Sequence, residues 1–300
     1  MRVPLLLARD PAPAAYTSEL NNDAKGRRVA TLEILIDDRL TTAMLAYPLR
    51  AGWLDAENVQ LVSGLTARAV RESNALALVD SLAARTLLDT HVVVRDMAIA
   101  SRRASFITFA THTRPDEVRS VTISTAGVSP ATLALAQIVI PDFYGVLVAD
   151  WTDTELVLTD ATAQVSEGAR ALIPFEHDEW YQEDLGRAWL LLTDSPFVSH
   201  LTVAPRAVIA ADPAAVGVAV ARLSAAREAG RTRARELRRD ISGELGIDRE
   251  VLTETLADQI YELGKDELHG LTTLWRRAGL PASEKELRAA LVTLRQLRPE

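Results

Sequence analysis

Hydrophobic and polar positions follow two different spacings along this chain, and the spacing changes repeatedly. Short runs of aliphatic residues predict buried strands, whereas apolar positions three to four residues apart predict amphipathic helices. In the first third of the chain, strands are predicted at 29–36, 59–62, 75–79, 91–99 and 105–110. Helical patterns separate the first three of these runs, and this alternation is typical of an α/β unit with a mainly parallel sheet.

The same alternation returns after Pro115. Strands are predicted there at 121–124, 156–159 and 197–203. A helix is predicted to begin at Pro130, because a proline at the first helical position after a serine is a strong start signal. From Asp212 onward the pattern is almost wholly helical. Breaks in this last part are predicted at Gly230, Gly246, Gly264 and Pro281.

These changes of pattern divide the chain into four parts. Residues 1–28 mix prolines, asparagines and a small basic cluster and are predicted to form an irregular N-terminal arm. Residues 29–114 are predicted as a first α/β lobe and residues 115–211 as a second. Residues 212–300 are predicted as a helical segment that packs back on the first lobe.

Composition removes several classes of function. The formal net charge is −8, from 33 basic and 41 acidic side chains, which works against a nucleic-acid partner. No cysteine is present, so disulfides and thiolate metal sites are excluded, and no histidine spacing predicts a metal site. No apolar stretch is long enough for a membrane span, and the first apolar run is too short for a secretory signal, so we expect a cytoplasmic protein.

A series of arginines lies in the helical segment and is interleaved with acidic residues. The arginines are Arg227, Arg231, Arg233, Arg235, Arg238 and Arg239. Because they spread around the helix and alternate with Glu228, Glu236 and Asp240, we interpret them as a solvated helix face.

Candidate chemistry lies where predicted strands end, because ligands of open α/β sheets gather at the carboxyl ends of strands. Four such places stand out: 37–42, Asp80-Ser81, Ser105 with the arginines before it, and 129–132. The helix that begins after Ser129 offers unpaired N–H groups that suit an anion. Each of these residues has a second interpretation as a simple helix cap. The carboxylate of Asp80 would also repel a dicarboxylate ligand unless an arginine pairs with it. The candidates for this pairing are Arg39, Arg102 and Arg103.

Two strings in the second half of the chain carry a resemblance to a known family. The first runs from Tyr181 through Trp189 to Val198 and the second from Tyr261 to Leu271. Both resemble the chorismate dehydratase family of menaquinone biosynthesis (futalosine route). The resemblance implies a two-lobed, type 2 periplasmic-binding-protein-like fold with a helical C-terminal segment. It also implies a lyase that needs no cofactor and removes water from chorismate, a small carboxylated molecule, in a cleft between the lobes.

The resemblance also implies site residues. Thr41 occupies the place of a family asparagine that takes part in the dehydration, so it is the candidate catalytic residue. The candidates for ligand binding are Thr42, Asp80, Ser81, Ser105, Ser129, Thr132 and Asp160. Asp80 stands where the family has a serine, whereas the others match the family type. We expect the two lobes to close on the ligand and to hold its carboxylate against the amide groups at the start of the segment beginning with Ser129.

Two functions remain open at this stage. The first is an enzyme, a chorismate dehydratase or a close relative. The second is a non-catalytic binding protein of the same fold that holds a small organic anion. The threonine at position 41 favours binding without catalysis, whereas the absence of a signal peptide argues against a transport role. The sequence leaves the oligomeric state undetermined.

Overall fold

The computed structural model describes residues 20–22, 28–30, 32–103, 106–173 and 180–297. The strands within these ranges are β1 Leu20–Asn22, β2 Arg28–Ala30, β3 Ile34–Asp37, β4 Val59–Val62, β5 Leu76–Asp80, β6 His91–Ser101, β7 Ile107–Thr111, β8 Ser120–Ser124, β9 Leu147–Thr152, β10 Thr162–Glu167, β11 Tyr181–Asp184, β12 Phe197–Pro205, β13 Gln259–Ile260 and β14 Leu291–Val292.

The α-helices within the same ranges are α1 Ala43–Arg50, α2 Ala67–Ser73, α3 Ser81–Arg85, α4 Pro130–Tyr144, α5 Ala169–Leu172, α6 Leu185–Thr193, α7 Arg206–Ala211, α8 Pro213–Thr232, α9 Ala234–Leu245, α10 Arg249–Ala257, α11 Lys265–Arg277, α12 Glu284–Ala289 and α13 Leu294–Leu297. Short 3₁₀ turns precede α1 and β8. β1 and β2 form an antiparallel pair of their own, and the rest of the predicted N-terminal arm lies outside the described residues.

The first sheet has the order β13-β6-β12-β5-β3-β4, with β14 paired to β6. β3, β4 and β5 are parallel, whereas β12 is antiparallel to both β5 and β6. All five residues of β5 are buried, as expected for a central strand covered on both faces. The carboxyl ends of β3 and β5 therefore lie side by side at one edge of this sheet.

The second sheet has the order β11-β7-β10-β8-β9, with β8, β9 and β10 parallel. The chain passes from the first sheet to the second between Ser101 and Ile107 and returns between Asp184 and Phe197. Two sheets joined by two crossing segments make up a two-lobed α/β fold. The carboxyl ends of β8 and β10 share an edge, as do those of β3 and β5 in the first lobe.

The division at residues 114 and 211 differs from this sheet membership. β7 was expected in the first lobe, yet it pairs with β10 and β11 in the second sheet. β12 was expected in the second lobe, yet it lies between β5 and β6 in the first sheet. The physical reason is that antiparallel partners far apart in sequence decide sheet membership, and local patterning does not encode them.

The helical segment packs on the first lobe. α8 lies along α1, and Gly230 is needed there because a Cβ would collide with the carbonyl oxygen of Met44. α8 therefore continues through Gly230, and the break predicted at that position is wrong. α11 covers the first sheet, where the Trp275 indole N–H donates to the carbonyl of Ser81 (3.1 Å). Gly246 ends α9 with a positive φ of 70°, as predicted.

The string around Trp189 forms the helix α6, which leads into the buried strand β12. α6 buries Trp189 completely, and its indole N–H donates to the carbonyl of Pro196, immediately before β12. The strand predicted at 156–159 is absent: this stretch is irregular and Val157 is 84% exposed. The apolar run there is too short to bury a face, and the flanking strands β9 and β10 supply the sheet instead.

Candidate functional site

Four ionisable side chains meet where the edges of the two sheets face each other. Asp37 ends β3, Asp80 ends β5, and His200 lies in β12 directly opposite Asp80. Glu167 ends β10 and comes from the second lobe. All four belong to the buried interior, with side-chain exposures of 1% for Asp37 and 7% for Glu167. Charges buried this deeply are costly unless they are paired, so the pairing defines the site.

Asp37 is held by partners on three sides. One carboxylate oxygen accepts the N–H groups of Gly64 and Leu65 at 3.0 and 3.1 Å. The other lies 3.0 Å from Nε of Arg39 and 3.4 Å from Nε2 of His200. Burial acts to raise the pKa of Asp37, but His200, Arg39 and the Leu65 amide outweigh it and hold this pKa below its usual value. Asp37 is therefore an ionised carboxylate that orients the imidazole.

Arg39 connects the two lobes. Its Nη1 lies 3.4 Å from Oε2 of Glu167, while its Nε remains on Asp37. The same oxygen of Glu167 accepts the main-chain N–H of Ser129 at 2.5 Å. Burial raises the pKa of Glu167 in spite of these two partners. A carboxylate of raised pKa thus stands beside one of lowered pKa, a combination found in acid–base sites.

Asp80 also reaches the second lobe. Its Oδ1 caps α3 by accepting the N–H groups of Leu82 and Ala83, and its Oδ2 accepts the N–H of Ala131 in α4 at 2.9 Å. Burial raises the pKa of Asp80, too. The start of α4 therefore donates main-chain N–H groups to the carboxylates of Asp80 and Glu167. The binding of a ligand carboxylate by these amides stays a prediction, and such a ligand would compete with Asp80 and Glu167.

Thr41 and Thr42 lie in the turn between β3 and α1. Both are buried, at 7% and 0% exposure. The hydroxyl of Thr42 donates to the carbonyl of Asp37 (2.7 Å) and accepts the N–H of Arg39 (3.2 Å), so it holds the turn that aims Arg39. The carbonyl of Thr41 accepts the side-chain amide of Gln259 at 2.7 Å. The structure thus gives Thr42 a positioning role in the turn, and its contact with a ligand stays a prediction.

Ser81, Ser129 and Thr132 lie beside the ionisable cluster. Ser81 is buried and its Oγ has no hydrogen-bond partner within the described residues. The Ser129 hydroxyl accepts the N–H of Thr132 at 3.2 Å, which is the capping geometry. Ser105 lies outside the described residues. Arg102 and Arg103 are exposed, so Arg39 is the arginine that pairs with carboxylates of the cluster.

Asp160 does not join this cluster. It precedes β10, whereas Glu167 ends that strand, so the two lie at opposite edges of the second sheet. Its carboxylate is 81% exposed and pairs with Nδ1 of His112 at 2.6 Å. This hydrogen bond, together with one from Thr113, lowers the pKa of Asp160. The strand expected before Asp160 is absent, and a ligand contact of Asp160 stays a prediction.

Sequence reasoning missed Glu167 and His200. The β10 sequence Thr-Ala-Gln-Val-Ser-Glu alternates polar and apolar residues, which was a usable strand signal. The rule that site residues follow strands would then have selected Glu167. His200 lies inside a buried strand, and only the pairing of β12 with β5 brings it to the site. No local sequence pattern predicts the pairing of β12 with β5.

A cavity of about 140 Å³ adjoins the cluster and is lined by Arg39. Its other walls come from the turn and helix after β3 and from the end of α9. No group of three or more histidine or acidic side chains suited to a metal ion occurs among the described residues. Within the same residues, no helix has both the length and the apolar character needed to cross a membrane.

The chain is similar to a known protein family and to solved structures of one fold. A family model described as menaquinone biosynthesis matches residues 34–279. The chain belongs to this menaquinone biosynthesis family. The matched residues include every member of the ionisable cluster. A search of curated proteins finds no match.

Solved structures similar to the chain share the periplasmic-binding-protein fold. The periplasmic aliphatic sulphonate binding protein SsuA from Escherichia coli is 10% identical, with a TM-score of 0.59 over 87% of this chain and 92% of that one. The alkanesulfonate-binding protein SsuA from Xanthomonas axonopodis pv. citri, bound to MOPS, is 11% identical, with a TM-score of 0.56 over 88% and 99%. A Candida albicans protein described as having the generic periplasmic binding protein fold is 11% identical, with a TM-score of 0.56 over 88% and 96%. The two-lobed fold predicted from the sequence is confirmed.

The raised pKa of Glu167 predicts a pH-dependent stability difference. A carboxyl group with a higher pKa in the fold than in the unfolded chain favours the fold more strongly when protonated, so its contribution is complete below about pH 4 and is lost as pH rises. Glu167→Gln removes this titration. We expect the melting temperature of the wild type, relative to that of the variant, to rise between pH 7 and pH 5.

Thermal unfolding monitored by circular dichroism measures this difference. The control is Glu155→Gln, which removes an exposed carboxylate that pairs with Arg170 and is not a member of the cluster. A difference between wild type and Glu167→Gln that is the same at pH 5 and pH 7 would contradict the assignment.

Proposed function

We propose that this protein is a cofactor-independent lyase of menaquinone biosynthesis that eliminates water from a small carboxylated substrate, with chorismate as the first candidate. The observation that carries the proposal is the Asp37–His200 pair facing Glu167 across the lobe boundary. Elimination of water needs a base to take a proton from carbon and an acid to protonate the departing hydroxyl. The cluster offers one group for each task.

His200 is the proposed base. Asp37 lies 3.4 Å from its Nε2, and the Ser199 hydroxyl lies 3.1 Å from its Nδ1. The ionised Asp37 stabilises the imidazolium that forms when His200 accepts a proton. Such a dyad, buried away from water, suits removal of a proton from a carbon atom.

Glu167 is the proposed acid, and Arg39 is the proposed anchor for a substrate carboxylate. In the closed form, Glu167 occupies the position between Arg39 and the Ser129 amide. A substrate carboxylate that enters an open cleft competes for those same two donors. Displaced Glu167 is the proposed donor of the proton that leaves with the hydroxyl as water. One proton moves from carbon to Nδ1 of His200, which the Ser199 hydroxyl has to release, while Nε2 stays on Asp37. The C–H electron pair forms the new C=C bond, the C–O bond breaks, and the departing oxygen takes a proton from Glu167.

Binding without turnover is the second candidate. It is favoured by the self-occupied anion positions at Ser129 and Ala131 and by Thr41 at the place of the family asparagine. A protein whose own carboxylates fill the cleft has to open before any ligand enters. On this alternative the ligand competes with Asp80 and Glu167, and no bond is broken.

Incubation with chorismate distinguishes the two candidates. We expect the wild type to form the enolpyruvyl-benzoate product, detected by chromatography. His200→Gln and Glu167→Gln should each lower kcat/KM by about 100-fold or more, the usual contribution of a general acid or base. The matched controls are His112→Gln and Glu155→Gln, which change the same residue types outside the cluster.

Calorimetric titration of each protein with chorismate completes the test. Absence of product at high enzyme concentration rejects the dehydratase. Binding of chorismate without product, weakened by Arg39→Gln, supports the second candidate alone. Absence of both product and binding removes chorismate as the substrate.

A further inference from the structure

A groove rich in arginine lies on the helical segment, away from the lobe boundary. α9 and α10 form its walls, and its volume is about 600 Å³. Five of its eight lining residues are arginines and one is an acid, in a protein whose formal net charge is −8. The arginines are Arg233, Arg235, Arg238, Arg239 and Arg249. Such a concentration of one sign of charge creates a local positive field.

Three of these arginines have no acidic partner in the part of the chain that the structure describes. Arg233 forms a two-pronged ion pair with Glu236, at 2.7 Å for the shorter contact, and Arg239 pairs with Asp240 at 2.8 Å. Arg235, Arg238 and Arg249 form no ion pair with any residue that the structure describes. The series was predicted as a solvated helix face, and Arg231, Arg235 and Arg239 are exposed as that prediction requires. The acids that alternate with the series pair with Arg231, Arg233 and Arg239.

The groove is built on a fixed framework. The guanidinium of Arg233 lies 3.8 Å from the centre of the Trp53 ring, and the Tyr47 ring packs edge-on against Trp53 at 5.2 Å. The Tyr47 hydroxyl donates to Asp240 at 2.8 Å. Cation–π and hydrogen-bond contacts thus tie the start and middle of α9 to α1. On α9, the side chains of Arg235 and Arg238 project from one face, because they are three residues apart.

We propose that this groove binds a small molecule that carries two or more phosphate groups. Its volume lies in the range of small-molecule sites, about 300–1,000 Å³. Arginine forks match phosphate oxygens in pairs, and charge-assisted bonds of this kind are about twice as strong as neutral ones. Three arginines without an ionic partner among the described residues offer contacts to several negative charges close together, which an oligophosphate supplies and a single carboxylate does not. The proposal is independent of the chemistry in the interlobe cluster.

Titration calorimetry of the full chain with inorganic tripolyphosphate tests the proposal, with ATP in a second arm. The variant is Arg235→Gln with Arg238→Gln and Arg249→Gln. The control is Arg68→Gln with Arg114→Gln and Arg170→Gln. It also removes three arginine charges, but from exposed positions outside the groove. We expect wild type and control to bind tripolyphosphate and the groove variant to bind about 100-fold more weakly, since each lost charge-assisted contact costs roughly fivefold.

Two further arms use a glutamate decapeptide and a short RNA duplex. Binding of the peptide or the duplex without binding of tripolyphosphate would overturn the proposal in favour of a macromolecular partner. No binding of tripolyphosphate by the wild type in low salt, or equal losses in both triple variants, would also overturn it. Tighter binding of ATP than of tripolyphosphate would identify a nucleotide as the phosphate source.

Discussion

Arg39→Met is expected to lower the free energy of unfolding by about 3 kcal/mol. Methionine keeps most of the side-chain volume but removes the charge that Asp37 and Glu167 share. Both carboxylates are buried, and an acid left without its partner pays the desolvation cost of its charge. For a chain of this length, the loss corresponds to a fall in melting temperature of roughly 6–10 °C.

The matched control is Arg50→Met. Arg50 pairs with Asp38 at 3.3 Å, but its side chain is 44% exposed, and exposed ion pairs contribute about 0–1 kcal/mol. Denaturant unfolding of both variants measures the difference. Adding Glu167→Gln to Arg39→Met should recover part of the loss, because it removes one of the two orphaned acids. Equal, small effects of Arg39→Met and Arg50→Met would show that the cluster is open to water and does not lock the lobes.

Gly230→Ala and Gly243→Ala are expected to change stability in opposite directions. A Cβ at Gly230 meets the carbonyl oxygen of Met44 in α1, and neither backbone can move without parting α1 from α8. Overpacking of this kind costs about 1–3 kcal/mol, with more expected when the obstacle is backbone. Gly243 lies inside α9 with nothing near its Cβ position, so alanine should gain up to about 1 kcal/mol of helix propensity.

Denaturant midpoints of the two variants, compared with wild type, decide this prediction. The pair is matched because both substitutions add one methyl group to a helical glycine with a negative φ. Gly270→Ala should resemble Gly230→Ala, since its Cβ would meet the carbonyl oxygen of Pro196. Stabilisation by Gly230→Ala would contradict the close approach of α8 to α1.

The sequence predicted the parts of the fold that depend on local pattern. β4 was predicted with its observed bounds, and β5 and β12 were predicted to within about two residues at each end, because their apolar runs are short and bounded by polar residues. β9 was missed because its polar positions mask the alternation, whereas the alternation of β10 was a usable signal that the prediction left out. The lobe boundaries were misplaced because β7 and β12 pair with strands that lie far away in sequence.

The site was predicted in part, for a similar reason. Asp80 and Ser129 were selected because each follows a strand and begins a helix, which are local signals. Their mutual proximity through the Ala131 amide could not be read from the sequence, because it depends on closure of the two lobes. The amides at the start of α4 were expected to bind a ligand anion, and in the structure they bind carboxylates of the chain itself.

The discontinuous first sheet has a consequence for synthesis on the ribosome. Every strand of the second sheet lies between residues 107 and 184, whereas the first sheet needs β12 and finally β13 and β14 near residue 292. We therefore expect the middle of the nascent polypeptide to become protease-resistant before its beginning does. Until the last helices emerge, backbone N–H and C=O groups along one edge of β6 lack strand partners. We expect a chaperone to bind this exposed edge during that interval.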